Sequence, residues 1–261
     1  MADKQSQVIN TSGSRPPLDQ DYADTFYELF GGPSREFLIG PEKRSLYLPE
    51  AALKQSSHYF AAMLDGNFSE PLSKKPIPLP EDDFEAYMFF SFWLVRGRFP
   101  RLRAWRTGRT KLETLRTELK TLCELWLLAD KIGSMDLANI TMSKLCPMLE
   151  NYMINSQSSI KETAKTLPVS LFTSILKRTP AYTFLYKLLT ATVAMNVQHC
   201  GHAMSDYADC FTDEDFVCGV TGTLKENMNL SQVYNKSLYM KSDNEGDLFE
   251  QKVLDRLDGK S

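Results

Sequence analysis

Thiol and imidazole side chains gather late in the chain at His199, Cys200, His202, Cys210 and Cys218. Thiolate sulfur and imidazole nitrogen are what zinc prefers, and four of the five are enough to close a tetrahedral site. The spacing is His-Cys-Gly-His, then two cysteines with seven residues before each, and it matches no standard finger. Two readings therefore stand: a zinc centre, or free thiols and surface histidines. The neighbouring acids Asp206, Asp209, Asp213, Glu214 and Asp215 do not follow the ligand order of an EF-hand loop, so a solvated loop is expected there. No cofactor other than zinc is implied.

A second concentration of chemistry is basic. Arg96, Arg98, Arg101, Arg103, Arg106, Arg109 and Lys111 follow one another with no acidic residue between them. Gly97, Pro100 and Gly108 make the segment a loop rather than a helix. Such a cluster can hold a phosphate backbone by releasing counterions. No nucleic-acid-binding motif or basic helical face accompanies it, and the net charge of -3 offers no general attraction. A mobile insertion is the favoured reading, with a nucleic-acid-associated regulator as the alternative function.

Catalysis finds little support. The chain has no Gly-rich phosphate loop, nucleophile elbow or His-Glu-x-x-His helix. Three histidines leave few general bases, and His58 falls at the start of a predicted helix, where a structural role is expected. The expectation is a protein that is not an enzyme. Residues Met1 to Gln20 are polar with no apolar signal core, no run is long enough to span a membrane, and five cysteines form no paired framework. These features predict a cytoplasmic or nuclear protein.

The elements that would position these groups can be read along the chain. Glu36 to Gly40 and Ser45 to Leu48 are short apolar runs around Gly40-Pro41-Glu42-Lys43, a hairpin that Pro49 should end. Ser57 is a good N-cap for the helix His58 to Leu64. Ile77-Pro78-Leu79 reads as an edge strand. Glu81-Asp82-Asp83 places negative charge before the helix Phe84 to Val95, whose residues are apolar nearly all round and predict a central core position. Leu112, Leu115, Leu119, Leu122, Trp126 and Ala129 recur at helical spacing up to Gly133. Ser134 opens another helix, which Pro147 should break or kink. Further helices are expected over Pro168 to Leu176 and Ala181 to Val197.

In this order the chain resembles a BTB/POZ domain, with the flavour of fungal BTB domain-containing proteins. The resemblance runs from about Glu36 to Leu149. Phe37-Leu38-Ile39-Gly40 matches the opening strand, and Leu53 with Ser57-His58-Tyr59-Phe60 matches the element that opens the second helix. Phe68-Ser69-Glu70 follows it, and Leu79-Pro80-Glu81-Asp82-Asp83-Phe84 leads into the buried helix, where Phe92-Trp93-Leu94 stands. The longest piece is Leu122-Cys123-Glu124-Leu125-Trp126-Leu127-Leu128-Ala129-Asp130-Lys131-Ile132, with Leu137-Ala138-Asn139 after it. There are departures. The family's common histidine after the second strand falls on Pro49 and its next basic residue on Glu50. Of Ser34-Arg35-Glu36, only Glu36 is a candidate for the acidic residue before the first strand.

The resemblance implies an α+β protein: a BTB/POZ fold, with a small mixed sheet flanked by a helical cluster, and an α-helical C-terminal extension. Residues 1–21 are expected as a disordered tail, 22–150 as the BTB/POZ domain with basic loop 96–111, 151–222 as a helical extension with a Cys/His-containing end, and 223–261 as a polar, partly disordered tail. The implied function is protein–protein interaction, as a scaffold or adaptor in ubiquitin-ligase assembly or transcriptional regulation. The partners would be proteins, among them a cullin or a second copy, with no membrane and no nucleic acid. Candidate interaction residues are Tyr22, Phe26, Leu29, Phe30, Phe68 and Glu70. Tyr22, Phe26, Leu29 and Phe30 fall at helical spacing, and either pack on their own core or form a dimer surface. The missing charged positions point to a monomer or weak dimer.

Overall fold

The computed structural model describes residues 26–65, 75–97, 99, 111–158, 169–200, 202–210, 213–226, 229–235 and 238–239. Its first element, α1, is a helical turn over residues 26–30. Strand β1 (Ser34–Ile39) pairs antiparallel with β2 (Arg44–Pro49), with Phe37 opposite Leu46. Alternation sends Phe37, Ile39 and Leu48 into the core, whereas Tyr47 stays on the solvent face. The hairpin turn needs left-handed backbone at Gly40 (φ 74°) and Lys43 (φ 53°). Gly40 N–H donates to the Leu79 carbonyl at 2.9 Å. Strand β3 (Ile77–Leu79) lies parallel to β1, giving the order β2-β1-β3. Pro78 can stand in β3 because the strand is at an edge.

Between β2 and β3 come α2 (Glu50–Ser56) and α3 (His58–Leu64). Ser57 joins them as the expected N-cap, its Oγ accepting from Tyr59 N and Phe60 N. Helix α4 (Phe84–Arg96) is capped by Asp83, which accepts from Ala86 N at 3.0 Å, and ends at Gly97 with φ 60°. Phe37, Phe60, Tyr87 and Phe90 stack edge-on and face-on beneath the sheet. The expected all-round burial of α4 holds only for one side. Ala86, Tyr87, Phe89 and Phe90 are buried, but Met88 and Phe92 are half-buried and Val95 is exposed.

Helix α5 (Lys111–Lys131) ends at Gly133 (φ 67°), as its left-handed stop requires. Helix α6 (Met135–Ser158) corrects one part of the reading of Pro147: the residue does not break the helix, which continues on both sides of it. Pro147 is on the exposed face, while Leu145, Cys146 and Leu149 on either side of it are buried and hold the helix down. The expected boundary at 150/151 therefore falls inside α6.

Helix α7 (Val169–Leu176) precedes α8 (Phe184–His199), which Thr183 caps. From Leu185 to Asn196 every residue of α8 but Lys187 is buried, so this is the central helix of the second half. A 3-10 helix (Met204–Cys210), α9 (Glu214–Glu226) and α10 (Leu230–Val233) wrap around it. One hydrophobic core runs continuously from Phe37 to Tyr239.

Candidate interaction surface

The sheet-proximal surface is built by a few side chains that join elements distant in sequence. Ser57 is 5% exposed and, besides capping α3, donates to the Ile132 carbonyl at 2.5 Å. This fixes the α2–α3 corner against the end of α5. Lys120 pairs with Asp83 and Lys131 with Asp82, each at 2.9 Å, tying the start of α4 to α5 from the outside. The Tyr87 hydroxyl donates to Asp82, and burial together with that carboxylate pushes the phenol well above its ordinary range.

Glu50, which stands where the resemblance expects a basic residue, is held in an ion pair. Arg35, at the start of β1, donates to Glu50 of α2 at 3.1 Å from Nε, with a second nitrogen at 3.0 Å. Both side chains are mostly covered, at 12% and 21% exposure. Glu36, the acidic candidate, instead accepts from Ser45 Oγ at 2.6 Å on the open face of the sheet.

Of the candidate interaction residues, Tyr22, Phe68 and Glu70 lie outside the described residues. Phe26 is 43% and Tyr27 75% exposed, and Leu29 and Phe30 are half-buried. The Phe26 and Phe30 rings rest on each other, 4.7 Å between centroids. Neither they nor Leu29 belong to the buried core or to the half-buried residues packed against it. Both readings of this segment, packing on its own core and a dimer surface, remain open.

The Cys/His group does not converge. Among the described residues no three His, Cys, Asp or Glu side chains form a group that could hold a metal ion. His199 is exposed at the end of α8, and Cys218 is exposed on α9. Cys200 is half-buried with its Sγ 3.9 Å from Met153 Sδ, and Cys210 is buried; burial raises both thiols, which favours the protonated form over a metal-binding thiolate. His202 Nδ1 lies 3.2 Å from the Tyr207 hydroxyl, which in turn accepts from Asn196 Nδ2 at 3.3 Å. The neighbouring acids are not a simple solvated loop either. Asp213 caps α9 by accepting from Asp215 N and Phe216 N, Asp206 accepts from Ala203 N, and Asp209 faces Lys177.

Arg96 is the exposed last residue of α4. Arg98, Arg101, Arg103, Arg106 and Arg109 lie outside the described residues, as does the side chain of Lys111, where α5 begins.

Two features had no sequence signal. Glu124, 7% exposed, sits within the longest matching motif and receives two hydrogen bonds from Arg178 beyond α7. Residues 229–235 and 238–239, expected as part of a polar tail, dock on the body through Val233, Tyr234 and Tyr239. No protein-family model matches the chain, and no curated protein matches it. No helix among the described residues is long and apolar enough to cross a membrane.

Proposed function

We propose that this chain is a protein-interaction module of the BTB/POZ type, a scaffold or adaptor whose docking surface includes α1. The observation that carries the reading is the element order: a β hairpin, a helix pair hinged at Ser57, a parallel third strand giving β2-β1-β3, and then the helices α4, α5 and α6. The quoted motifs other than Phe68-Ser69-Glu70, which lies outside the described residues, fall within or beside these elements. Exposed aromatic groups on α1, outside the core, supply apolar area for a partner. A second copy is the partner such a surface fits first, since isologous pairing is the commonest oligomer symmetry.

The experiment is affinity purification of the tagged full-length chain beside its Phe26→Asp/Phe30→Asp variant, with a parallel titration of a purified cullin N-terminal domain. The reading expects a stoichiometric protein partner that the variant loses. A cullin among those partners assigns the adaptor role to ubiquitin-ligase assembly. Equal recovery from both chains, or no stoichiometric protein from either, refutes the assignment of docking to α1.

A further inference from the structure

Residues 229–235 and 238–239 meet the body of the protein as a bound peptide would. Their helical turn is closed by its own side chains: Asn229 accepts from Gln232 N, and the Gln232 side chain accepts from Asn229 N, both at 2.9 Å. The backbone bonds run within the segment, from Val233 N to Asn229 O, Tyr234 N to Leu230 O and Leu238 N to Asn235 O. What the segment gives the body is the buried Val233 (0% exposed), Tyr234 (4%) and Tyr239 (7%) and the half-buried Leu230, while Asn229, Ser231, Gln232, Asn235 and Leu238 stay exposed.

The receiving surface is the seam between α6 and α8. Its floor carries one built polar contact. The Tyr234 hydroxyl donates to Thr192 Oγ1 at 3.3 Å, and Thr192 itself donates to the Leu188 carbonyl at 2.8 Å, so its oxygen keeps a lone pair for the phenol.

We propose that the α6–α8 seam is a peptide-binding groove, occupied in cis by residues 229–235 and 238–239 and open to a partner's short helix of the same chemistry. That partner carries an aliphatic residue followed directly by a tyrosine, with a second aromatic five positions on. Anchoring by spaced side chains, with the peptide's own backbone satisfied internally, is the helix-in-groove mode of recognition. The groove selects tyrosine over phenylalanine through the Thr192 oxygen. The cis segment is then an autoinhibitory cover, and the proposal stands apart from the family reading of the first half.

The test uses the full-length chain. A fluorescent peptide of residues 227–241 is titrated into wild type and into the Tyr234→Ser/Tyr239→Ser variant, whose own cover is weakened. The expected result is saturable binding to the variant at least tenfold tighter than to wild type. A Tyr234→Phe peptide should bind about fivefold more weakly, the worth of one neutral hydrogen bond. Equal binding to both chains, or no binding to a variant with native near-ultraviolet circular dichroism, overturns the proposal. Should the variant not fold, hydrogen exchange of the wild type decides. Amides of Val233 to Asn235 exchanging about a hundredfold faster than those of α8 support a detachable cover, and equal protection overturns it.

Discussion

Replacing Ser57 with alanine removes one oxygen that serves three partners. It is the N-cap of α3, and losing a serine cap costs about 1 kcal/mol. The same hydroxyl donates to the Ile132 carbonyl in a buried corner, and removing a buried group's donor costs about 1–3 kcal/mol. Together the Ser57→Ala variant should lose about 2–4 kcal/mol. Ser56 is the control: it stands next in sequence, and its Oγ donates to the Leu53 carbonyl one turn back. Ser56→Ala should cost about 0.5 kcal/mol or less, the ordinary range for a side chain that joins no distant elements. Urea unfolding followed by circular dichroism separates them. With a slope of about 3 kcal/mol/M, Ser57→Ala should lower the midpoint by about 1 M at constant slope. A shift no larger than that of Ser56→Ala would refute the claim that this hydroxyl locks the α2–α3 corner to α5.

Arg178→Met should destabilise by about 1–3 kcal/mol, since it strands the Glu124 carboxylate, and Arg178→Met/Glu124→Leu should recover part of the loss; a double variant worse than the single by the same assay would contradict this. For the Arg35–Glu50 ion pair, Arg35→Glu and Glu50→Arg should each cost about 1 kcal/mol or more and together should recover most of it; additive losses in a double-mutant cycle would mean the two do not interact. Burial raises the ionisation of Tyr87, Tyr207, Tyr234 and Tyr239 above the ordinary 10.0. The folded chain then keeps protons that the unfolded chain releases, so this stabilisation is complete below pH 10.0 and is lost as pH rises beyond it. Phenolate absorbance should show these tyrosines ionising only as the far-ultraviolet dichroism collapses; their ionisation near pH 10.0 with the fold intact would refute the burial assignment.

What could be read from the sequence was local. Ser57 was legible as a cap because a capping oxygen serves amides two and three residues on, within the same short window, and Asp83, read as charge favourable to the helix start, serves Ala86 N in the same way. Strand alternation and the glycine stop at Gly133 are equally local, and both appear where expected. The failures are tertiary. Pro147 signals a break, but packing of its neighbours on both sides overrides the lost hydrogen bond. Helix α9 was hidden because Cys218 suggested a ligand and Asp213 and Glu214 a solvated loop, although Phe216, Val220 and Leu224 carry a helical spacing after the Asp213 cap. The Glu124–Arg178 pair and the docking of Tyr234 on Thr192 join residues tens of positions apart, and no periodicity announces them. The Cys/His group shows the reverse: its residue types suit zinc, but three of the five are spent on a helix end, a thioether contact and a phenol.

The central claim is that this chain works by binding protein through a surface that includes α1, with a second copy as its first partner. Light scattering of the full-length chain from about 1 to about 100 µM tests it most directly, because a weak self-association is set by mass action. The account predicts a mass that climbs from 29.7 kDa toward twice that value, and a Phe26→Asp/Phe30→Asp variant that stays at 29.7 kDa throughout. A wild-type chain that remains at 29.7 kDa over the whole range would contradict it.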